Sequence, residues 1–261
     1  MTRRIKLGLG AIAAGMVLWA QASSAQVGES MNWKVDGETR RAMVYAPSGD
    51  SAGGPAPLVL AFHGHGDDIQ NFQRTDMHLA FPEAIVVYFQ GLKSSRDGGT
   101  GWQVDKGQDN DRDLRLVDIA LASLRKAFWV DDDRIYAMGF SNGAGFTYLL
   151  WVELPAMFAA FAPVSGRLQA STEPRQPKPL LHIAGAQEPT FAAQKESFDT
   201  ATRINGVEGR GGSCGRGCTV YGAKSATPTM MWIHQKGHEY VADTSDRIAE
   251  FFREHSLRRG R

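Results

Sequence analysis

Five short apolar runs divide the chain, and helical periodicity fills the intervals between them. Leu58 to Phe62, Ala84 to Phe89, Arg134 to Met138, Pro179 to Ala184 and Met230 to His234 are too short for helices. They are also too continuously apolar for strands with one face in water. Leu114, Val117, Leu121, Leu124 and Phe128 recur at helical spacing, as do Ile248, Phe251 and Phe252 near the end. Strands buried on both faces and alternating with amphipathic helices build βαβ units. The expected architecture is therefore α/β: a mostly parallel central sheet covered by helices on both faces, in one domain over residues 26–261. Val35-Asp36-Gly37-Glu38 signals a hairpin ahead of this core, and Pro47 to Pro57 a turn between strands.

The first 25 residues follow another logic. Arg3, Arg4 and Lys6 form a basic leader, Leu7 to Ala20 is apolar, and Ser23-Ser24-Ala25 offers small residues at a cleavage site. The apolar run falls short of the roughly 20 residues that span a bilayer as a helix. A cleaved signal peptide over residues 1–25 is expected, giving a secreted or periplasmic protein with no membrane attachment after cleavage. Twenty-nine basic against 28 acidic residues leave no field that would recruit nucleic acid. Cys214 and Cys218 stand in Cys-Gly-Arg-Gly-Cys, whose glycines permit a tight reversal, and an exported chain favours a disulfide between them.

Chemistry enters at Gly139-Phe140-Ser141-Asn142-Gly143, which fits Gly-x-Ser-x-Gly between the Arg134 strand and a helix expected over Ala144 to Glu153, ended by Pro155. A strand turning abruptly into a helix strains the serine backbone and tolerates only minimal flanking side chains. It lifts the hydroxyl to the helix N-terminus, where free N–H groups favour negative charge. The pattern resembles the nucleophile elbow of α/β-hydrolases. Phe62-His63-Gly64-His65-Gly66-Asp67-Asp68 follows the Leu58 strand, where that fold draws an oxyanion-hole N–H; the expected donors are the backbones of His65 and Asn142. His63-x-His65-x-Asp67 also matches the start of a hydrolytic metal motif, although the histidine that should follow the aspartate is Asp68.

In this fold an acid and then a histidine follow the serine. His182 and His234 lie in apolar strands and read as core histidines, and His255 falls in the terminal helix. His238, in the loop after the last strand, is the expected base. Gly185-Ala186-Gln187-Glu188-Pro189 after the preceding strand carries Glu188 as the expected acid, with Asp199 as the fallback. Trp102, Phe140, Phe191 and Tyr240 are candidates for a substrate-pocket wall. Asp109-x-Asp111-x-Asp113 lacks the glycine and glutamate of a calcium loop and reads as capping and first-turn acids of the following helix.

From about Val35 to His255 the chain resembles the secreted polyhydroxybutyrate depolymerase and feruloyl esterase family of α/β-hydrolases. The resemblance is carried by Phe62-His63-Gly64-His65-Gly66, Val86-Val87-Tyr88, Gly101-Trp102 and Val130-Asp131-Asp132-Asp133-Arg134-Ile135-Tyr136. It continues in Gly139-Phe140-Ser141-Asn142-Gly143-Ala144, Pro163-Val164-Ser165-Gly166, the cysteine turn and Gly237-His238. It implies Ser141 as nucleophile and His238 as base; where the family usually has Asp before Pro, this chain has Glu188 before Pro189. The implied activity is hydrolysis of a small-molecule or oligomeric ester, hydroxyalkanoate or feruloyl/acetyl, through an acyl-enzyme and without a cofactor or metal. Three other functions keep a place beside it: a metal-dependent hydrolase, a non-catalytic binding module on a hydrolase scaffold, and acyl transfer to another acceptor.

Overall fold

The structure, a computed structural model, describes residues 26–48, 53–95 and 97–260. The expected signal peptide, residues 1–25, lies outside the described residues. The hairpin forms as expected: β1 (Glu29–Val35) turns through Asp36 and Gly37 into β2 (Glu38–Tyr45). Asp36 (φ 50°) and Gly37 (φ 85°) are both left-handed, as a two-residue turn matching strand twist requires.

Beyond the hairpin come β3 (Ala56–Phe62), α1 (Ile69–Phe72), α2 (Met77–Ala80), β4 (Ile85–Phe89), β5 (Leu92–Lys93) and β6 (Thr100–Gly101). The centre of the chain supplies α3 (Arg112–Ala127), β7 (Val130–Phe140), α4 (Asn142–Glu153), β8 (Ala160–Val164) and β9 (Leu180–Gly185). The last elements are α5 (Phe191–Ile204), β10 (Gly212–Ser213), β11 (Cys218–Tyr221), β12 (Thr229–His234) and α6 (Thr244–Arg253). Among the described residues ten strands share one sheet in the order β1-β2-β4-β3-β7-β8-β9-β12-β11-β10. The six from β4 to β12 run parallel, and antiparallel strands flank them on either side.

Each of the five expected runs lies on a strand. The reason is visible in β3, every residue of which is buried: Leu58, Leu60 and Phe62 pack with α3 and α4, while Val59 and Ala61 pack with α1, α2 and α6. A strand sandwiched in this way has no polar side to write into the sequence. β8 is the strand that periodicity did not announce, because Ala160-Phe161-Ala162-Pro163-Val164 is rich in alanine and carries a proline. The terminal helix ends at Arg253, so His255 stands beyond it.

Cys214 and Cys218 are joined by a disulfide, and the turn between them places Gly215 (φ 115°) and Gly217 (φ 70°) in conformations that other residues rarely adopt. The positions expected for the acids of Asp109-x-Asp111-x-Asp113 hold, with Asp111 at the N-cap and Asp113 in the first turn of α3, but the side-chain capping bond does not form. The Asp111 carboxylate turns back to Gly107 N–H (2.7 Å) and the Gln103 amide (2.9 Å). Asp113 is completely buried against Arg40 of β2, at 2.7 Å, and accepts a second bond from Gln103 N–H at 2.8 Å.

That buried pair ties β2, α3 and the segment after β6 together. Removing one partner strands a charge in the core, whereas replacing both by apolar residues does not. Asp113→Ala is expected to destabilise the fold by about 3–5 kcal/mol, and Arg40→Met with Asp113→Leu to recover most of that loss, in urea denaturation.

Candidate active site

Strand β7 runs straight into α4, and Ser141 is the only residue between them. Its backbone is left-handed, φ 57° and ψ −112°, a conformation that costs a non-glycine residue about 1–3 kcal/mol. The glycines on either side are required by contact. A Cβ on Gly139 would stand 2.3 Å from Gly143 O, and one on Gly143 would stand 2.1 Å from Phe62 O. With α4 pressed this tightly against β3 and β7, the Ser141 hydroxyl is left at the C-terminal edge of the sheet.

His238 reaches it from the loop after β12. Its Nε2 lies 2.8 Å from Ser141 Oγ, and its Nδ1 lies 3.0 Å from Glu188 Oε2. Nδ1–H donating to the carboxylate leaves the Nε2 lone pair facing the hydroxyl. The imidazole is about half exposed, whereas the Glu188 side chain is fully buried. The structure therefore brings Ser141, His238 and Glu188 into one hydrogen-bonded chain. Asp199 is elsewhere, on the surface of α5 and paired with Lys195.

Glu188 has four donors. Its Oε1 accepts from Ser165 Oγ (2.7 Å) and Gly185 N–H (2.7 Å), and its Oε2 from Gln194 Nε2 (2.6 Å) and His238. Burial alone would raise its pKa, but the bonds from His238, Gly185, Ser165 and Gln194 outweigh burial and hold it at about 2. Gln194 also bonds His182, which is fully buried against the Tyr148 hydroxyl (2.7 Å), and burial lowers the His182 pKa to about 4. His182 is thus the neutral core histidine its strand position implied.

His65 and Asn142 border the cleft above Ser141. Asn142 is the first residue of α4, so its N–H has no partner within the helix. Its side chain clasps the Trp102 backbone, accepting from Trp102 N–H at 2.7 Å and donating to Trp102 O at 3.0 Å. His63 is fully buried, and burial lowers its pKa and keeps it neutral. Its Nε2 accepts from Gly91 N–H (2.9 Å), so Nδ1–H is left to donate to Gly64 O (2.7 Å). Fixing that carbonyl fixes the trans peptide to which the His65 N–H belongs and aims it the opposite way.

The aromatic pocket wall is corrected. Trp102 is 2% exposed and donates Nε1–H to His63 O at 3.0 Å, so it supports the loop from beneath. Phe140 stands behind His238, ring to ring at 4.9 Å, and Tyr240 packs on Phe140 with its hydroxyl on Ser245. The cleft is instead polar. Besides Ser141, Asn142 and His238 it is lined by His65, Asp97, Ser165, Gly166, Arg167, Gln169 and Thr190. Arg167 and Gln169 lie in coil with no periodicity, and the adjoining Pro163–Gly166 block was the one sequence signal near them. The metal-like motif is taken apart: His63 is engaged as above, His65 faces Asp97 (3.4 Å), and Asp67 accepts from Asn71 (2.8 Å). Among the described residues no group of three His, Cys, Asp or Glu side chains is arranged to hold a metal ion.

No protein-family model matches the chain. It is 31% identical over 166 residues, 61% of its length, to the bifunctional acetylxylan esterase/xylanase XynS20E of Neocallimastix patriciarum, covering 23% of that protein. It is 25% identical over 210 residues, 70% of its length, to feruloyl esterase B of Piromyces equi, covering 39% of that protein. The chain thus spans less than half the length of these curated relatives. The solved structure of the fluorophosphonate-binding serine hydrolase FphF of Staphylococcus aureus superposes with a TM-score of 0.60 at 13% identity, covering 88% of this chain and 98% of that one. The fold is that of the α/β-hydrolases. Within that fold the chain is related in sequence to esterases.

The Glu188 carboxylate makes a prediction about stability. Its folded-state pKa, about 2, lies below its ordinary 4.5. The stabilisation it supplies is therefore complete above that ordinary value and is lost as the pH falls towards 2. In urea denaturation the stability gap between wild type and Glu188→Gln should close by about 3 kcal/mol between pH ~6 and pH ~2. An unchanged gap would contradict the assignment.

Proposed function

We propose that the chain is a secreted or periplasmic serine esterase that hydrolyses carboxylic esters through an acyl-enzyme. The observation that carries this reading is the chain from Ser141 Oγ to His238 Nε2 at 2.8 Å and from His238 Nδ1 to Glu188 at 3.0 Å. His238 takes the hydroxyl proton as Ser141 Oγ bonds to the ester carbonyl carbon. Glu188 fixes the tautomer and stabilises the imidazolium that forms. The carbonyl oxygen, now an oxyanion, is met by the N–H groups of His65 and Asn142. His238 returns the proton to the departing alcohol as the C–O bond breaks. Water, deprotonated by His238, then cleaves the acyl-enzyme and releases the acid.

The substrate class follows the relatives, one named for acetylxylan and one for feruloyl esters, with hydroxyalkanoate oligomers as the further option from the sequence resemblance. Export is supported by the basic and apolar leader and by the Cys214–Cys218 disulfide. The metal-dependent reading is disfavoured because His63, His65 and Asp67 are engaged with three different partners.

Ser141→Ala is expected to lower kcat for para-nitrophenyl acetate by about 10³-fold or more, with chelators without effect, and to abolish labelling by a fluorophosphonate. Full turnover in that variant, or loss of activity on chelation, would return the assignment to the metal site. Methyl ferulate, acetylated xylan and hydroxybutyrate oligomers compared side by side rank the substrates.

A further inference from the structure

A Cβ on Gly166 would stand 2.5 Å from both Ser141 O and Ala144 Cβ. The backbone leaving β8 is therefore pressed along the turn that carries Ser141, and the next side chain, Arg167, emerges in the same cleft as Ser141 and His238. It is exposed there. On the surface Arg115, Arg125, Arg203 and Arg253 pair with Asp36, Asp132, Glu173 and Glu83, whereas Arg41, Arg74, Arg175, Arg210 and Arg216 are exposed without such a partner among the described residues. Arg167 also has no such partner among the described residues, and what sets it apart is its place in the cleft with Ser141 and His238. Of the carboxylates at this edge, Glu188 is buried under His238, while Asp97 lines the same cleft half exposed, 3.4 Å from the His65 ring. Gln169, whose amide lies close to Gly145 of α4, lines the same cleft.

We propose that Arg167, with Gln169, forms an anion subsite that takes a free carboxylate carried by the ester substrate apart from its scissile carbonyl. The substrate class is then an ester with one acidic half, such as the monoester of a dicarboxylic acid. A guanidinium presents parallel N–H groups that match a carboxylate, and the open position of Arg167 keeps the gain to about tenfold, the worth of one charge-assisted hydrogen bond. This inference rests on the assignment of Ser141 above.

The test compares kcat/KM within two matched pairs: para-nitrophenyl monoadipate against para-nitrophenyl hexanoate, with the charge on the acyl half, and para-acetoxybenzoate against phenyl acetate, with the charge on the alcohol half. The anionic member of at least one pair should be preferred about tenfold at low ionic strength, and the preference should shrink in about 0.5 M NaCl. Arg167→Ala should bring the ratio to unity or below, Arg167→Lys should keep part of it, and Arg167→Glu should invert it. Equal or poorer use of the anionic esters in both pairs, or a ratio unchanged in Arg167→Ala, would overturn the subsite. Turnover of the neutral esters without a preference defeats the subsite alone. No turnover of any ester, with Ser141 unlabelled by a fluorophosphonate, defeats both the subsite and the esterase assignment.

Discussion

Glu188 is the point at which four segments converge on one carboxylate: the end of β8 through Ser165, the end of β9 through Gly185, α5 through Gln194, and the loop after β12 through His238. A charge taken out of water survives only where its lone pairs are occupied, and here four donors occupy them. The same condition that keeps Glu188 ionised also holds His238 in one orientation and one tautomer. The position of the imidazole over Ser141 thus depends on packing well below the cleft.

Sheet order supplies the rest of the geometry. β7, β8, β9 and β12 are parallel and successive, so the loops leaving their C-terminal ends meet at one edge although His238 is 97 residues from Ser141 in sequence. In open parallel sheets this edge is where ligands bind. The elbow is held from the other side by a relay of contacts: Arg40 fixes Asp113, Asp113 holds Gln103 N–H, and the neighbouring Trp102 backbone is clasped by Asn142.

What the sequence made legible was local. Apolar runs buried on both faces marked five strands, a glycine pair around Ser141 marked the turn, and Glu188 and His238 stood out as polar residues just past apolar strands. What stayed hidden depends on contacts between distant residues. Asp113 is the first-turn acid it was read as, but its burial stayed hidden because its partner, Arg40, lies 73 residues earlier. Trp102 resembled a pocket wall because nothing nearby in the chain tells of the His63 carbonyl that takes its N–H. Gln194, which holds Glu188, sits in unremarkable sequence, Ser165 lies in the Pro163–Gly166 block but with no role legible from it, and β8 was masked by alanine and proline. Arg167 has no periodic context at all; only the pressure of Gly166 on the elbow brings it to the cleft.

The left-handed backbone of Ser141 sets reactivity against durability. A glycine could adopt that conformation without steric penalty, so the chain bears a standing cost at its proposed nucleophile, and relief is one substitution away. Mutational drift under pressure for heat resistance alone would favour that exchange and leave an inert, sturdier descendant with the same sheet.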